Sequence, residues 1–178
     1  MFGGLTCVAD DREEAAADGP NDRDRARVGC EMKIAAGSDH AGYDLKMAML
    51  EHLAELGIEA EDLGTYERIS CDYPDYAEKV ARAVVAGTHD LGLLICGTGI
   101  GMCMTANKVE GIRAAMCTLE YHARMARAHN GANILCMGGR VTGVDVAKGI
   151  LSSFIHTPVS DDERHLRRRA KIMQLQGT

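Results

Sequence analysis

The sequence predicts an α/β fold built on a five-stranded, mostly parallel sheet, and two observations support this fold class. From Met32 onward, short apolar runs alternate with amphipathic segments, which is the pattern of repeated strand–helix–strand units. The 178 residues are 46% hydrophobic, which is enough for one domain with a sizeable core and hardly enough for two. We therefore predict a single α/β domain over residues 32–178.

Each predicted element rests on its local pattern. Short apolar runs predict strands, whereas apolar residues at helical spacing predict helices. The final helix begins with Asp161 and Asp162, which suit the positive end of a helix dipole. In chain order, the predicted elements are a strand at 33–37, a helix at 45–56, a weaker strand at 57–64, a helix at 75–87, a strand at 91–96, a short helix after a glycine loop, a strand at 111–117, a helix at 120–130, a strand at 132–139, a helix at 144–155 and a helix at 161–176.

Residues 1–31 fall outside this pattern. They carry eight acidic residues and four arginines, and they show no hydrophobic periodicity. Such a segment cannot bury enough apolar surface to order itself. We expect a disordered N-terminal extension, with an interaction tail as the alternative.

Composition argues against several functional classes. The seven cysteines show no C-x-x-C spacing, which argues against a disulfide framework and a zinc site and favours a reducing, cytoplasmic location. The apolar runs fall far short of the ~20 residues that a membrane-spanning helix needs. A net charge of −6 gives no general electrostatic case for nucleic acid. We therefore expect no metal, no membrane and no nucleic-acid partner.

Polar residues follow three of the predicted strands, and the carboxyl ends of parallel strands meet at the edge where ligands bind. Asp39 and His40 follow the first strand, Cys96 and Thr98 come at the end of the third, and Arg140 follows the fifth. We expect these five side chains to line one edge of the sheet. Each also has a structural alternative, since an aspartate can cap a helix, a loop histidine or arginine can be solvated, and a cysteine ending a strand can be a small buried apolar residue.

The loop CGTGIG places Gly97, Gly99 and Gly101 directly after Cys96. Glycines let backbone amides approach an anion where a helix begins. The dinucleotide-binding fingerprint matches poorly, because this loop follows the third strand, has G-x-G-x-G spacing and is not followed by a strand that ends in a clear acidic residue. A nucleotide-binding dehydrogenase, or a loop that serves only a tight turn, remains open from the pattern alone.

Five motifs occur in order along the domain: GSDHAGYDLK, DYPDYA, LLICGTGIGM, ANKVEGIRAA and ARAHNGANIL. Together they resemble the type B ribose 5-phosphate isomerases, within the wider group of ribose and galactose 6-phosphate isomerases. The resemblance spans Met32 to Ile172. It implies a Rossmann-like three-layer sandwich with a C-terminal helix. It also implies a homodimer, or a dimer of dimers, with shared active sites that interconvert an aldose phosphate and its ketose without a metal or organic cofactor.

The resemblance assigns the chemistry to the glycine loop. Cys96 resembles the base that moves a proton between C2 and C1 of the open-chain sugar, and a single group can serve both neighbouring carbons. Thr98 and the amides of the three loop glycines resemble the anion hole for the enediolate. Some relatives lack this cysteine and carry a glutamate where this chain has Met102, so the chain resembles the thiol branch.

The resemblance also assigns ring opening and substrate binding. His129 resembles the ring-opening histidine, although a histidine at a helix end can also interact with the helix dipole. The implied sugar-hydroxyl contacts are Asp39, Tyr73 and Asn130, and the implied phosphate set is His40, Arg140, Arg164 and Arg168. Arg164 and Arg168 share one helical face, although their charged run also fits a solvated helix. The residues implied to reach the partner's active site are His129, Asn130 and Arg140.

The expected substrate is ribose 5-phosphate. Allose 6-phosphate, galactose 6-phosphate and a tetrose phosphate remain alternatives, because these sugars differ by a carbon or a hydroxyl and such pockets discriminate by shape. A non-catalytic subunit of a hetero-oligomer is the alternative from another class. The presence of both Cys96 and His129 favours a catalytic chain.

Overall fold

The computed structural model describes residues 32–175, which form a five-stranded sheet with helices on both faces. The expected N-terminal extension, residues 1–31, lies outside the described residues. The strands are β1 (Lys33–Ser38), β2 (Glu59–Asp62), β3 (Leu91–Cys96), β4 (Ala114–Met116) and β5 (Ile134–Gly138). They lie in the order β2-β1-β3-β5-β4, and each neighbouring pair is parallel. The predicted α/β class is confirmed, with a sheet that is parallel throughout.

Six helices lie within residues 32–175. They are α1 (Tyr43–Glu55), α2 (Tyr73–Val85), α3 (Ile100–Ala106), α4 (Glu120–Ala128), α5 (Val144–His156) and α6 (Glu163–Gln174). The first helix stops one residue before the predicted end, because Gly57 with φ of 71° breaks it and leaves Leu56 as a 40% exposed C-cap. Over the described range, no helix combines the length and apolar character needed to cross a bilayer.

Helices cover the sheet on both faces and give it three layers. On one face α1, α4 and α5 bury apolar residues such as Met49 and Phe154. On the other face α2 and α3 bury residues such as Val80 and Met102. Strand β3 lies in the centre of the sheet with all six of its residues buried, which explains why LGLLIC is a continuous apolar run.

The three central strands end at the same edge of the sheet. Ser38 of β1 pairs with Ile95 of β3, and Cys96 of β3 pairs with Gly138 of β5. Because the strands are parallel, the loops that follow them gather at this carboxyl edge. The segments that precede the strands gather at the opposite, amino edge. The connecting segments therefore form two groups, one at each of these two edges of the sheet.

A buried lysine of α1 forms hydrogen bonds with the end of β2 and with the segment that follows it. Lys46 has no solvent exposure, and its Nζ donates to both carboxylate oxygens of Asp62 at 2.6 and 2.7 Å. The same Nζ donates to the Thr65 carbonyl oxygen at 2.6 Å. The Thr65 amide in turn donates to the Ser38 carbonyl oxygen at 2.8 Å. Lys46 thus holds the β2–α2 connection against the carboxyl end of β1.

We expect the substitution Lys46→Met to lower the free energy of unfolding by about 2–4 kcal/mol, because it leaves a carboxylate and a carbonyl without their buried cation. Urea unfolding followed by circular dichroism measures the change. Lys108→Met, at an exposed lysine, is the matched control. Equal unfolding free energies for the two variants would contradict the role of Lys46.

Candidate active site

Backbone hydrogen bonds join the loops that meet at the carboxyl edge. The Gly139 amide, after β5, donates to the Cys96 carbonyl oxygen at 2.8 Å, and the Arg140 amide donates to the Gly97 carbonyl oxygen at 3.1 Å. The first loop is joined in the same way, since the Asp39 amide donates to the carbonyl oxygen at the end of β3 at 3.2 Å. The loops after β1, β3 and β5 therefore form one connected surface.

Cys96 ends β3, and its thiol lies under the glycine loop. The residue is 5% exposed, and its Sγ accepts a hydrogen bond from the Gly99 amide at 3.2 Å. Gly99 has φ of 81°, in the left-handed region, and a Cβ there would lie 2.9 Å from the Met137 carbonyl carbon. The turn that aims this amide at the sulfur therefore requires glycine. An amide donor in this position stabilises negative charge on the sulfur.

Thr98 belongs to this loop, and two further predicted residues, Tyr73 and Arg140, lie over it. Thr98 is exposed at its tip, and its Oγ1 accepts from the Ile100 amide at 3.4 Å. Tyr73, the first residue of α2, lies over Gly101, where a Cβ would come within 2.8 Å of the ring and 3.2 Å of the hydroxyl oxygen. The Arg140 side chain lies over Gly97, with its Cδ 3.5 Å from the position of a Cβ there. The loop thus carries the Thr98 hydroxyl and lies beside the Tyr73 hydroxyl and the Arg140 guanidinium.

Asp39 and His40 lie on the loop after β1. Oδ1 of the buried Asp39 accepts from the Ala41 and Gly42 amides at 2.9 Å each. The carboxylate therefore shapes the entry to α1, as the capping alternative proposed, although the N-cap position itself is Gly42. The Nδ1 atom of His40 accepts from the Cys71 amide at 3.4 Å. This bond assigns the ring proton to Nε2, which leaves His40 with an N–H donor for an anion.

His129 and Asn130 lie at the edge of the sheet opposite to Cys96. His129 is the C-cap of α4, and the segment after it leads into the start of β5. There the Asn133 carbonyl oxygen accepts from the Gly92 amide at 2.9 Å. Gly92 lies about 13 Å from Cys96 along β3, at 3.3 Å per residue. His129 and Asn130 therefore lie at the amino edge, away from the thiol of their own chain.

The two predicted α6 arginines belong to the same amino-edge group. His165, which follows Arg164 directly, stacks on His129 with ring centroids 4.2 Å apart and an interplanar angle of 7°. Arg164 and Arg168 are both exposed. The structure thus brings Cys96 together with one set of predicted residues, namely Asp39, His40, Tyr73, Gly97, Thr98, Gly99, Gly101 and Arg140, and places His129, Asn130, Arg164 and Arg168 in a separate cluster.

The resemblance implies that Arg140 acts with His129 and Asn130 in the partner's site, and this role stays a prediction. In its own chain the Arg140 side chain lies beside Gly97, because β5 places Arg140 after the strand and the other two residues before it. Arg140 therefore lies at the same edge as the thiol of its own chain.

Cysteines near the site differ in acidity. A hydrogen bond with Cys136 lowers the pKa of the half-buried Cys103 thiol, on α3, to about 7. Burial raises the pKa of Cys117 to about 11, and burial also raises the pKa of Cys136 well above its ordinary value. Sequence reasoning missed Cys103, because its partner lies on a strand that is distant in sequence.

In the described part of the chain, no group of three His, Cys, Asp or Glu side chains is arranged to hold a metal ion.

Comparison with known proteins identifies similar chains. A model described as Ribose/Galactose Isomerase matches residues 34–172. The chain is 47% identical to ribose-5-phosphate isomerase B of Escherichia coli, over 69% of this chain and 83% of that protein. It is 42% identical to D-erythrulose-4-phosphate isomerase of Pectobacterium atrosepticum, over 70% and 82% respectively. The solved structure of Clostridium thermocellum ribose-5-phosphate isomerase B matches at 48% identity and a TM-score of 0.80, covering 82% of this chain and 98% of that one.

We expect iodoacetamide to modify Cys103 before Cys117 and Cys136. The thiolate is the reactive form, and it forms near pH 7 at Cys103, whereas Cys117 requires a pH near 11. Peptide mass spectrometry after timed labelling between pH 6 and 9 measures the order. Alkylation of Cys117 or Cys136 ahead of Cys103 would contradict the expectation.

Proposed function

Because the chain belongs to the ribose/galactose isomerase family, we propose that it interconverts ribose 5-phosphate and ribulose 5-phosphate through an enediolate, with Cys96 as the base. As a member of this family the chain is an aldose–ketose isomerase of sugar phosphates. One observation carries the finer proposal: the buried thiol of Cys96 accepts an amide hydrogen bond from Gly99, at the edge of the sheet where Asp39, Tyr73 and Arg140 also lie.

The proton transfer uses Cys96 twice. The thiolate removes the proton from C2 of the open-chain aldose, and the electron pair moves to form the C1–C2 double bond and a negative oxygen at C1. The resulting enediolate is stabilised by the amides of the glycine loop and by the Thr98 hydroxyl, which are donors already in place for the developing charge. The thiol then returns the proton to C1, while the proton of the C2 hydroxyl passes to the negative C1 oxygen, so that the C2 oxygen becomes the ketone and the C1 oxygen a hydroxyl. No atoms are gained or lost.

Ring opening precedes this transfer, and we assign it to His129 of a second copy. His129 takes the proton of the anomeric hydroxyl and supplies a proton to the ring oxygen, so that the bond from C1 to the ring oxygen breaks. His129 and Cys96 of one chain lie at opposite edges of the sheet. A homodimer, or a dimer of dimers, in which the amino edge of one copy faces the carboxyl edge of the other would complete the site.

The residues that we propose for substrate binding are also divided between two copies of the chain. We propose that Asp39, Tyr73 and Asn130 contact sugar hydroxyls, and that the phosphate binds to His40, Arg140, Arg164 and Arg168. The planar guanidinium fork matches phosphate oxygens. Placing Arg140 with Cys96 and placing the α6 arginines with His129 gives each copy a share of the phosphate contacts.

The substrate assignment competes with alternatives from the same family. The names of the relatives include a D-erythrulose-4-phosphate isomerase and a galactose-6-phosphate isomerase subunit. A tetrose phosphate, allose 6-phosphate or galactose 6-phosphate, or a non-catalytic subunit, would each fit the fold. The presence of both Cys96 and His129 favours catalysis, and initial rates with a panel of aldose phosphates separate the substrates.

We also propose a cytoplasmic location, which the free cysteines of the described chain support.

The Cys96→Ser variant should lose turnover of ribose 5-phosphate by about 10²–10⁴-fold, the usual contribution of a general base. The KM should change little, because the proposed phosphate contacts remain. Steady-state kinetics measures both values, with Cys103→Ser as the control for replacing a nearby thiol. Near-normal kcat in Cys96→Ser would show that another group is the base.

If Cys96 and His129 of each site come from different copies, inactive variants of the two residues should restore activity when they form mixed dimers. Mixed dimers of Cys96→Ser and His129→Ala contain one intact site and one doubly altered site, so co-refolding should restore about a quarter of wild-type activity when half of the dimers are mixed. Cys96→Ser with Arg140→Ala is the matched control. Both of those residues belong to one edge, so each site of that mixed dimer carries one lesion and activity should stay low.

Mass spectrometry of the refolded mixtures confirms that mixed dimers formed. If the Cys96 and Arg140 variants restore each other while the Cys96 and His129 variants do not, the proposed division of the site is wrong.

A further inference from the structure

A buried histidine on α6 has no role in the mechanism so far. Helix α6 is strongly charged, and His165 is its one buried residue among Glu163–Gln174, at 5% exposure. The next residue, Leu166, is 48% exposed. Apolar side chains are normally buried in preference to histidine. The buried side chain of this helix is therefore an imidazole, beside partly buried contacts such as the one between Met173 and Arg113.

The buried face of His165 lies against the proposed ring-opening group. The His129 and His165 rings are 4.2 Å apart between centroids and 7° from parallel. His129 is the C-cap of α4, where its amide donates to the Met125 carbonyl oxygen at 2.9 Å. The backbone of His129 is fixed by the helix, but its ring can rotate about the side-chain bonds. A flat ring stacked on one face removes most of that freedom and leaves the nitrogens at the ring edge for a ligand.

The docking of α6 fixes the position of the second ring. The Asp162 carboxylate accepts from the Arg164 amide at 2.9 Å and caps the helix, and the His165 amide donates to the Asp162 carbonyl oxygen at 2.9 Å. At the preceding turn, the Ser160 amide donates to the Ala128 carbonyl oxygen at 2.9 Å, directly before His129. The two histidines are therefore held together by backbone contacts on both sides of the stack.

The charge state of the pair suits this role. Burial lowers the pKa of His165, and the neighbouring His129 and the α6 arginines lower it further, while Asp162 acts in the opposite direction. A lowered pKa keeps His165 neutral at neutral pH. A neutral His165 ring places no positive charge against the His129 ring.

We propose that His165 is a positioning residue for ring opening: its imidazole fixes the plane of the His129 ring and so directs the His129 nitrogens toward the sugar. This inference rests on the proposed function of His129. His165 itself does not touch the reacting atoms. It acts only on the step in which the ring opens, and it has no part in the proton transfer at Cys96.

The test uses a reaction that does not need ring opening. Ribulose 5-phosphate is an open-chain ketose, because the hydroxyl that would close a five-membered ring carries the phosphate. Exchange of its C1 hydrogen with D₂O, followed by NMR, reports the step at Cys96 alone. Isomerisation of ribose 5-phosphate, which is cyclic in solution, reports ring opening as well.

We expect His165→Ala to lower kcat for ribose 5-phosphate by about 10- to 100-fold, the scale of a misplaced catalytic group, with little change in KM. The C1 exchange rate should stay within about twofold of wild type, so that the ratio of exchange to isomerisation rises by the same 10- to 100-fold. His165→Phe retains a flat ring for stacking and should recover most of the isomerisation rate. Arg167→Gln, at an exposed neighbouring position on α6, is the matched control and should resemble wild type.

Two results would overturn the positioning role. One is a parallel loss of exchange and isomerisation in His165→Ala, which indicates a general structural defect. The other is a His165→Phe variant as impaired as His165→Ala, which indicates that stacking is irrelevant. A wild-type chain that does not isomerise ribose 5-phosphate would instead count against the proposed function.

Discussion

The strands of this sheet all run in one direction, and the arrangement of the candidate site depends on that constraint. A residue that precedes a parallel strand and a residue that follows it lie at opposite edges of the sheet. Strand β5 shows the consequence, since His129 and Asn130 come before it and Arg140 comes after it. Within one chain, Cys96 therefore lies at the carboxyl edge and His129 at the amino edge, so the two side chains cannot meet. This separation is the physical reason for proposing a site shared between two copies.

Close backbone packing gives the carboxyl edge its geometry. A Cβ on Gly42 would lie 2.1 Å from the Ile95 carbonyl oxygen, so the loop after β1 can approach β3 only with glycine there. The Gly99 amide reaches the Cys96 sulfur through a left-handed turn. Lys46 supports the same edge from the neighbouring segment, through its bonds to Asp62 and Thr65. The donors around the thiol are thus set by backbone and buried contacts, which is the kind of support that a preorganised site requires.

Much of this arrangement could be predicted from the sequence, because it depends on local patterns. The continuous apolar run of β3 predicts a central strand, and the glycine loop after it predicts where a ligand approaches. Helical spacing predicted α1, but the helix begins at Tyr43, two residues before the predicted start, and it ends before Leu56 because Gly57 breaks it.

The features that could not be predicted depend on tertiary neighbours. The acidity of Cys103 follows from Cys136 on another strand. The burial of His165 follows from the docking of α6 against His129, whereas most of its neighbours in sequence are charged and suggest a solvated helix. The grouping of Arg140 with Cys96 follows from the order of the strands, in which β3 and β5 are adjacent.

The most direct test of the shared site is a crystal structure of the Cys96→Ser protein with ribose 5-phosphate bound. We expect C1 and C2 of the sugar to lie against residue 96 of one copy, while the ring oxygen lies within hydrogen-bond distance of His129 of another copy. A sugar that contacts residue 96 with no second copy at the site, or one that contacts His129 and residue 96 of the same chain, would show that the site is not shared between two copies.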